Sequence, residues 1–199
     1  MSGSLPSALD ALATRCSNCR KCSIGYPNDH TQTPHVLSNL QISKYFILGQ
    51  NPGINECEQQ EPFVGRAGSD FFKELSKYDL QRQDFYISNL VKCYTPKNRK
   101  PTAKERRACL DYFLQELSLL QPQIIITLGA FSFNALFPKK KYSECLGLPQ
   151  IYIAPDSKNE YSVFPVLHPS PLNLCNPKNK ASFENQIQML NALLEAYKT

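Results

Sequence analysis

Five short apolar runs constrain the fold of this chain more than any other feature: YFILG (Tyr45 to Gly49), FYISNLV (Phe85 to Val91), QIIITLG (Gln123 to Gly129), QIYIA (Gln150 to Ala154) and VFPVLH (Val163 to His168). Each has strand length and is nearly continuous in apolar character, which requires a sheet covered on both faces. Helical patterns separate them, over Ser69 to Tyr78, Ala103 to Leu120, Ala130 to Leu136 and Phe183 to Tyr197. The order predicts an α/β fold, a single domain over residues 1–199 with three αβα layers and a central, mostly parallel sheet. The second helix has a marked start, because Thr102 can cap it and Glu105 can reach back to complete a capping box, with Pro101 just before. That start puts Cys109 on a rigid element, while Cys93 lies at the end of the preceding strand, so a strand-loop-helix unit can bring both thiols together.

The loop between them is basic. Lysines and arginines gather in KNRKPTAKERR (Lys97 to Arg107), PKKKY (Pro138 to Tyr142) and NPKNK (Asn176 to Lys180), within a formal net charge of +5. Such loops suit phosphate contacts or form a solvated face, and the net charge permits a nucleic-acid partner. No stretch approaches the roughly 18 to 20 apolar residues of a membrane helix, and MSGSLPSALDALATRC lacks the regions of a secretory signal. A cytoplasmic chain without a membrane partner is expected. In that compartment the eight cysteines point to thiolate ligation rather than to a disulfide framework. Cys16, Cys19 and Cys22 form CSNCRKC near the N-terminus, but the second C-x2-C of a zinc ribbon is missing.

Where ligand chemistry should sit follows from the fold class, since open α/β sheets bind ligands outside the carboxyl ends of their strands. Three unusual segments have that address: LGQNPGINE (Leu48 to Glu56) after the first strand, Asn89 near the end of the second, and HPSPLN (His168 to Asn173) after the last. In the first, Gly53 lets backbone N–H groups approach a ligand and Pro52 fixes the turn. Alone, His168 reads as a structural histidine and Asn89 as a turn or cap residue; their shared address links them to one site.

GQNPGINE, PFVGRAG (Pro62 to Gly68), YISNLVKC (Tyr86 to Cys93), a cysteine sixteen positions on and HPSPLN together resemble the uracil-DNA glycosylase superfamily, most of all its iron–sulfur family 4 branch. The resemblance runs in order from about Cys16 to Asn173. It implies a monofunctional glycosylase of base excision repair, acting on uracil-containing DNA and leaving an abasic site; covalent trapping of the DNA is not expected, because FPKKKYSECLG lacks the histidine of the branch that does so. By the same resemblance Phe63 stacks on uracil, and the Asn89 carboxamide accepts from N3–H and donates to O4. His168 hydrogen-bonds O2 of the departing base, and the backbone from Gly49 to Gly53 adds donors. Glu56 lies near uracil C5 to exclude a methyl group, or is a solvated loop carboxylate. Ser170 and Leu172 belong to a loop entering the minor groove, with Leu172 either a wedge or part of the core. Arg99, Lys100 and Lys178 supply phosphate contacts. Cys16, Cys19, Cys93 and Cys109 are the implied ligands of a structural [4Fe–4S] cluster, with Cys22 a possible substitute and zinc the alternative metal.

The opening motif departs from the branch. Family 4 usually carries Glu where this chain has Gln50, while Asn51 resembles the mismatch-specific and single-strand-selective branches, which use that asparagine to position water. The GQ start and HPSPL are similar to family 1, whose third-position residue is an aspartate. Asparagine is no general base near neutral pH, yet it orients water by hydrogen bonds, so the expected catalytic set is Gln50, Asn51 and His168. Other readings stay open: a non-catalytic protein binding uracil-containing or abasic DNA, a glycosylase shifted to hypoxanthine or xanthine, or a cysteine-rich metal or redox protein. A monomer, nucleoid-associated in a prokaryote, is expected.

Overall fold

In the computed structural model, which describes residues 4–25 and 38–198, all five apolar runs are strands: β1 (Tyr45–Gly49), β2 (Tyr86–Asn89), β3 (Ile124–Leu128), β4 (Gln150–Ile153) and β5 (Glu160–Val166). They form one sheet in the order β2-β1-β3-β5-β4. Strands β2, β1, β3 and β5 are mutually parallel, and β4 runs antiparallel to β5 on the outer edge. Eight α-helices flank this sheet among the described residues: α1 (Leu5–Ser17), α2 (Ile54–Gln59), α3 (Arg66–Leu75), α4 (Ala103–Leu120), α5 (Ala130–Leu136), α6 (Tyr142–Cys145), α7 (Pro171–Leu174) and α8 (Pro177–Lys198).

Alternation along β1 explains the layering. Phe46 and Leu48 face one side, where they join Leu9 of α1, Phe113 and Leu117 of α4, and Phe133 of α5. Ile47 faces the other, with Phe71 and Leu75 of α3 and Phe183, Ile187, Leu190 and Leu194 of α8. Successive strand side chains point to opposite faces, so a strand apolar at every position needs helices on both. The expected three-layer α/β arrangement is therefore present.

Several limits move. The helix expected from Ser69 starts at Arg66, and the one expected from Phe183 starts at Pro177, in each case because a polar first turn precedes the apolar stripe. The last strand ends at Val166 rather than His168, which puts His168 in the loop beyond the sheet. The α1, α2, α6 and α7 segments were not anticipated as helices. Of these, α1 owes its place to tertiary contact, since Leu9, Leu12 and Cys16 are buried along it. The Thr102 capping box is realised: Glu105 N donates to Thr102 Oγ1 at 3.3 Å and Thr102 N donates to Glu105 Oε2 at 2.7 Å.

Candidate active site

The parallel strands end on one side of the sheet, and a cleft of about 570 Å3 opens there. Its lining includes Gln50, Asn51, Gly53, Glu56, Phe63, Asn89 and His168, which belong to four separate segments of the sequence. The register explains the convergence: Gly49 is the partner of Asn89 on β2, and β3 continues the row on the other side of β1.

Gly49 is where two side chains need its missing Cβ. A methyl group there would strike Asn89 Oδ1 and come within 2.6 Å of the Phe63 ring. Asn89 is only 2% exposed, so its carboxamide is held against the cleft floor with the Phe63 ring beside it. Phe63 itself has φ +57°, a left-handed conformation that an aromatic residue rarely adopts and that costs on the order of 1–3 kcal/mol. The neighbourhood fixes it. Arg82 donates to the carbonyls of Pro62 and Phe63 and to Glu61 Oε1, and the Phe63 carbonyl lies where a side chain on Gly68 would be.

Glu56 belongs to the same support. It sits on α2, not in a loop, is nearly buried, and its Oε1 accepts from Gly65 N at 2.8 Å. Side chains on Gly53 or Gly65 would collide with its carboxylate, at 2.5 and 2.9 Å. The reading of Glu56 as a solvated loop carboxylate is thus corrected: the helix and the Gly65 contact take it out of bulk solvent.

In the turn after β1, Gln50 Nε2 donates to Asn51 Oδ1 at 2.8 Å. Asn51 Nδ2 donates to the Pro52 carbonyl at 2.8 Å and to Thr95 Oγ1 at 3.4 Å. Both halves of the Asn51 amide are therefore oriented, with a lone pair of Oδ1 left to accept from a third group. His168 stands at the end beyond β5, its Cβ 3.0 Å from the position a side chain on Gly129 would take. The loop after it is tightly wound: Ser170 N and Asn173 Nδ2 both donate to the His168 carbonyl, at 2.9 and 2.8 Å, and Ser170 Oγ caps α7. Burial pushes the His168 imidazole below its ordinary pKa and favours the neutral ring.

The residues expected at DNA separate into two groups. Leu172 is 84% exposed, so its alternative place in the core is ruled out. Lys178 is exposed on the first turn of α8, and Lys100 lines the cleft with its ammonium over the Phe131 ring at 5.7 Å. Arg99 stays exposed but is paired, forking both carboxylate oxygens of buried Glu105 at 2.6 and 2.9 Å. That pairing holds the Glu105 carboxyl down at about 2.

The cysteines meet behind the cleft. Cys16, Cys93 and Cys109 are buried in one apolar cluster, and Cys19 and Cys22 pack against it. No three His, Cys, Asp or Glu side chains among the described residues converge on a point that would hold a metal ion. The donor chemistry nonetheless suits one, since a sulfur-only set matches zinc or an iron–sulfur cluster. Burial raises the Cys16 and Cys93 thiols and lifts Cys109 to about 11, and the neighbouring thiols of the group add to it. Such a group is stable as thiolates only beside compensating positive charge.

Strand-end logic would also have found Gly129 and Phe131, which follow β3 and line the cleft. Thr95 and the buried pair Lys92 and Glu116 left no signal in the sequence, because only folding brings β2 against α4.

Residues 38–192 match the family described as the uracil DNA glycosylase superfamily. A type-4 uracil-DNA glycosylase of Archaeoglobus fulgidus is 36% identical over 65% of this chain and 64% of its own length; the chain thus matches a little under two thirds of that relative. A type-4 uracil-DNA glycosylase of Thermotoga maritima is 31% identical over 81% of each chain. One of Saccharolobus solfataricus is 31% identical over 94% of this chain and 87% of that protein. With the family match spanning most of the sequence and the cleft at the strand ends, the chain belongs to the uracil DNA glycosylase superfamily.

Proposed function

We propose that this chain hydrolyses the N-glycosidic bond of uracil in DNA and leaves an abasic site. The observation that carries the reading is the buried Asn89 carboxamide against Gly49 with the Phe63 ring beside it. A base extruded from DNA needs a stacking face and a polar partner for its Watson–Crick edge. Phe63 supplies the first. Asn89 accepts from uracil N3–H and donates to O4, a polarity that cytosine meets wrongly, and a mismatched buried polar group is costly.

In the reaction the bond between C1′ and N1 breaks and its electron pair leaves with the base as an anion; a water oxygen bonds to C1′, and the proton that water gives up passes to solvent and neutralises the released base. Neutral His168 donates to uracil O2 as negative charge gathers there, helped by backbone N–H groups between Gly49 and Gly53. Asn51 accepts a hydrogen bond from the attacking water through Oδ1, and Gln50 keeps that amide turned the right way. Neither is a base, so stabilisation of the leaving group carries most of the rate. Glu56 braces the Gly65 backbone and closes the pocket near uracil C5. Leu172 fills the stack vacated by the base, with Ser170 shaping its loop, while Lys100 and Lys178 meet phosphates and Arg99 orders the loop that carries Lys100.

Cys16, Cys19, Cys93 and Cys109 would hold a [4Fe–4S] cluster, or zinc in the same positions, joining α1 to α4 and the basic loop. The group would supply structural cross-linking and compensate the buried thiolate charge. The whole chain acts as one domain and as a monomer, in the cytoplasm.

A single-uracil oligonucleotide, treated with protein purified without air and then with alkali, tests the reading. Strand cleavage at the uracil position is expected. Tight binding without cleavage, on single- and double-stranded substrates alike, would instead identify a non-catalytic uracil-DNA binder. A panel of deaminated bases sets the range, and broad absorbance near ~400 nm distinguishes iron–sulfur thiolates from zinc.

A further inference from the structure

Behind the cleft lies an ion pair whose place the chemistry above does not use. Lys92 and Glu116 side chains are both 0% exposed and 2.5 Å apart. Burying such a pair is seldom favourable for stability, because desolvation offsets much of the attraction. Its geometry is directed at one strand. The Lys92 ammonium donates to Ser88 Oγ at 2.7 Å, to the Asn89 main-chain carbonyl at 2.7 Å and to Glu116 Oε2. Glu116 Oε1 in turn accepts from Tyr86 OH at 2.8 Å and Ser88 Oγ at 2.7 Å. Three of the four residues of β2 are thus tied to one carboxylate or ammonium, and the last of them is Asn89. Main-chain bonds from Leu90 N to the Gly49 carbonyl and Val91 N to the Gln50 carbonyl then lock the segment to β1. The Lys92 amide also donates to Cys109 Sγ at 3.3 Å, which joins this strap to the cysteine cluster.

We infer that Lys92, seated by Glu116, is a positioning residue for base recognition: it holds the Asn89 main chain so that the carboxamide keeps its place beside Gly49 and Phe63. The role assigned to Asn89 rests on the proposed function, but the mechanical claim does not. An ammonium suits the task because its donors can reach a carbonyl, a hydroxyl and a carboxylate at once. A neutral isostere of the same length packs in the same space and pins nothing.

Replacing Lys92 alone leaves Glu116 buried without its partner, so the informative protein is Lys92→Met combined with Glu116→Gln, which removes both charges and keeps the acceptor for Tyr86 and Ser88. Three readouts on the full chain decide the matter. Hydrogen exchange is expected to speed up in residues 89–92 while β1 and β3 stay protected. KM for uracil-containing DNA is expected to rise about ten- to hundredfold with a smaller fall in kcat, the scale on which small misplacements act. Adding Asn89→Ala to the pair should cost little more, because both changes act through one side chain. Absorbance near ~400 nm should match the parent, which excludes loss of a cluster as the cause. Unchanged exchange in residues 89–92, or an Asn89→Ala effect fully additive with the pair, would overturn the inference. Failure of the parent protein to release uracil would overturn the proposed function instead, and the exchange result would still decide the role of Lys92.

Discussion

Asn89 is 2% exposed and Leu172 is 84% exposed, although each follows or ends a parallel strand and both are proposed to act on the same DNA. The floor of the cleft, where Asn89, Gly49 and Phe63 meet, is held from several sides: strand register sets Asn89 beside Gly49, Phe63 is held in a left-handed conformation, and Lys92 bonds the Asn89 carbonyl. The rim, where Leu172 and Lys178 stand, is held mainly by local bonds, from Ser170 and Asn173 to the His168 carbonyl and by capping at Ser170 and Asn176. The difference follows from what each must touch. Reading a base edge requires polar groups at fixed positions, so the floor is rigid. Entering a groove requires an apolar side chain in water before the encounter, which only an exposed turn can offer.

That contrast can be broken by experiment, most severely at the floor. His168→Ala should lower the single-turnover rate about 10²- to 10³-fold, the usual cost of one donor to a developing anion, with DNA binding little changed. A loss seen only in binding would move His168 out of the chemistry. Gly49→Ala is next. Its methyl group would meet Asn89 and Phe63, so about a hundredfold loss in kcat/KM is expected with a near-native melting temperature. Activity like the parent's would mean the floor is softer than its packing implies.

At the rim the effects are smaller and depend on the substrate. Leu172→Ala should weaken action on duplex uracil about tenfold and spare single strands, because a single strand has no stack to refill. Equal losses on both would argue against a wedge. The mildest test is pH. His168 has a folded pKa below the ordinary 6.5, so the unfolded chain takes up its proton first. Stability should hold above about 6.5 and decline as pH falls below it, and the acid limb of kcat/KM should lie below 6.5. Activity that falls as pH rises through the His168 pKa, rather than as pH drops through it, would show that His168 works as a cation.

Much of this layout was readable from the residues. Near-continuous apolar runs announced a doubly covered sheet, and β1 with Phe46, Ile47 and Leu48 buried on alternate faces is what such a run produces. The rule that ligands sit at strand ends selects Gln50, Asn51, Asn89 and His168 from the residues alone. The helix at Thr102 was written in its capping box. Other features were illegible for identifiable reasons. α2 and α7 are short, and their periodicity is too brief to register, so Glu56 read as a loop residue and Leu172 as undecided between core and surface. Arg99 read as a phosphate contact because pairing with Glu105 depends on how the loop folds back on its helix.

The sequence by itself determined the layers, the strand ends and the residue types that can meet there, because local periodicity and turn chemistry act over a few neighbours. Only the tertiary structure decided which groups face each other. Lys92 and Glu116 lie 24 positions apart, Asn89 reaches the cleft through its register with Gly49, and Leu172 is left in water. Those outcomes depend on long-range packing, in which the burial of one charge is tolerable only where another arrives to meet it.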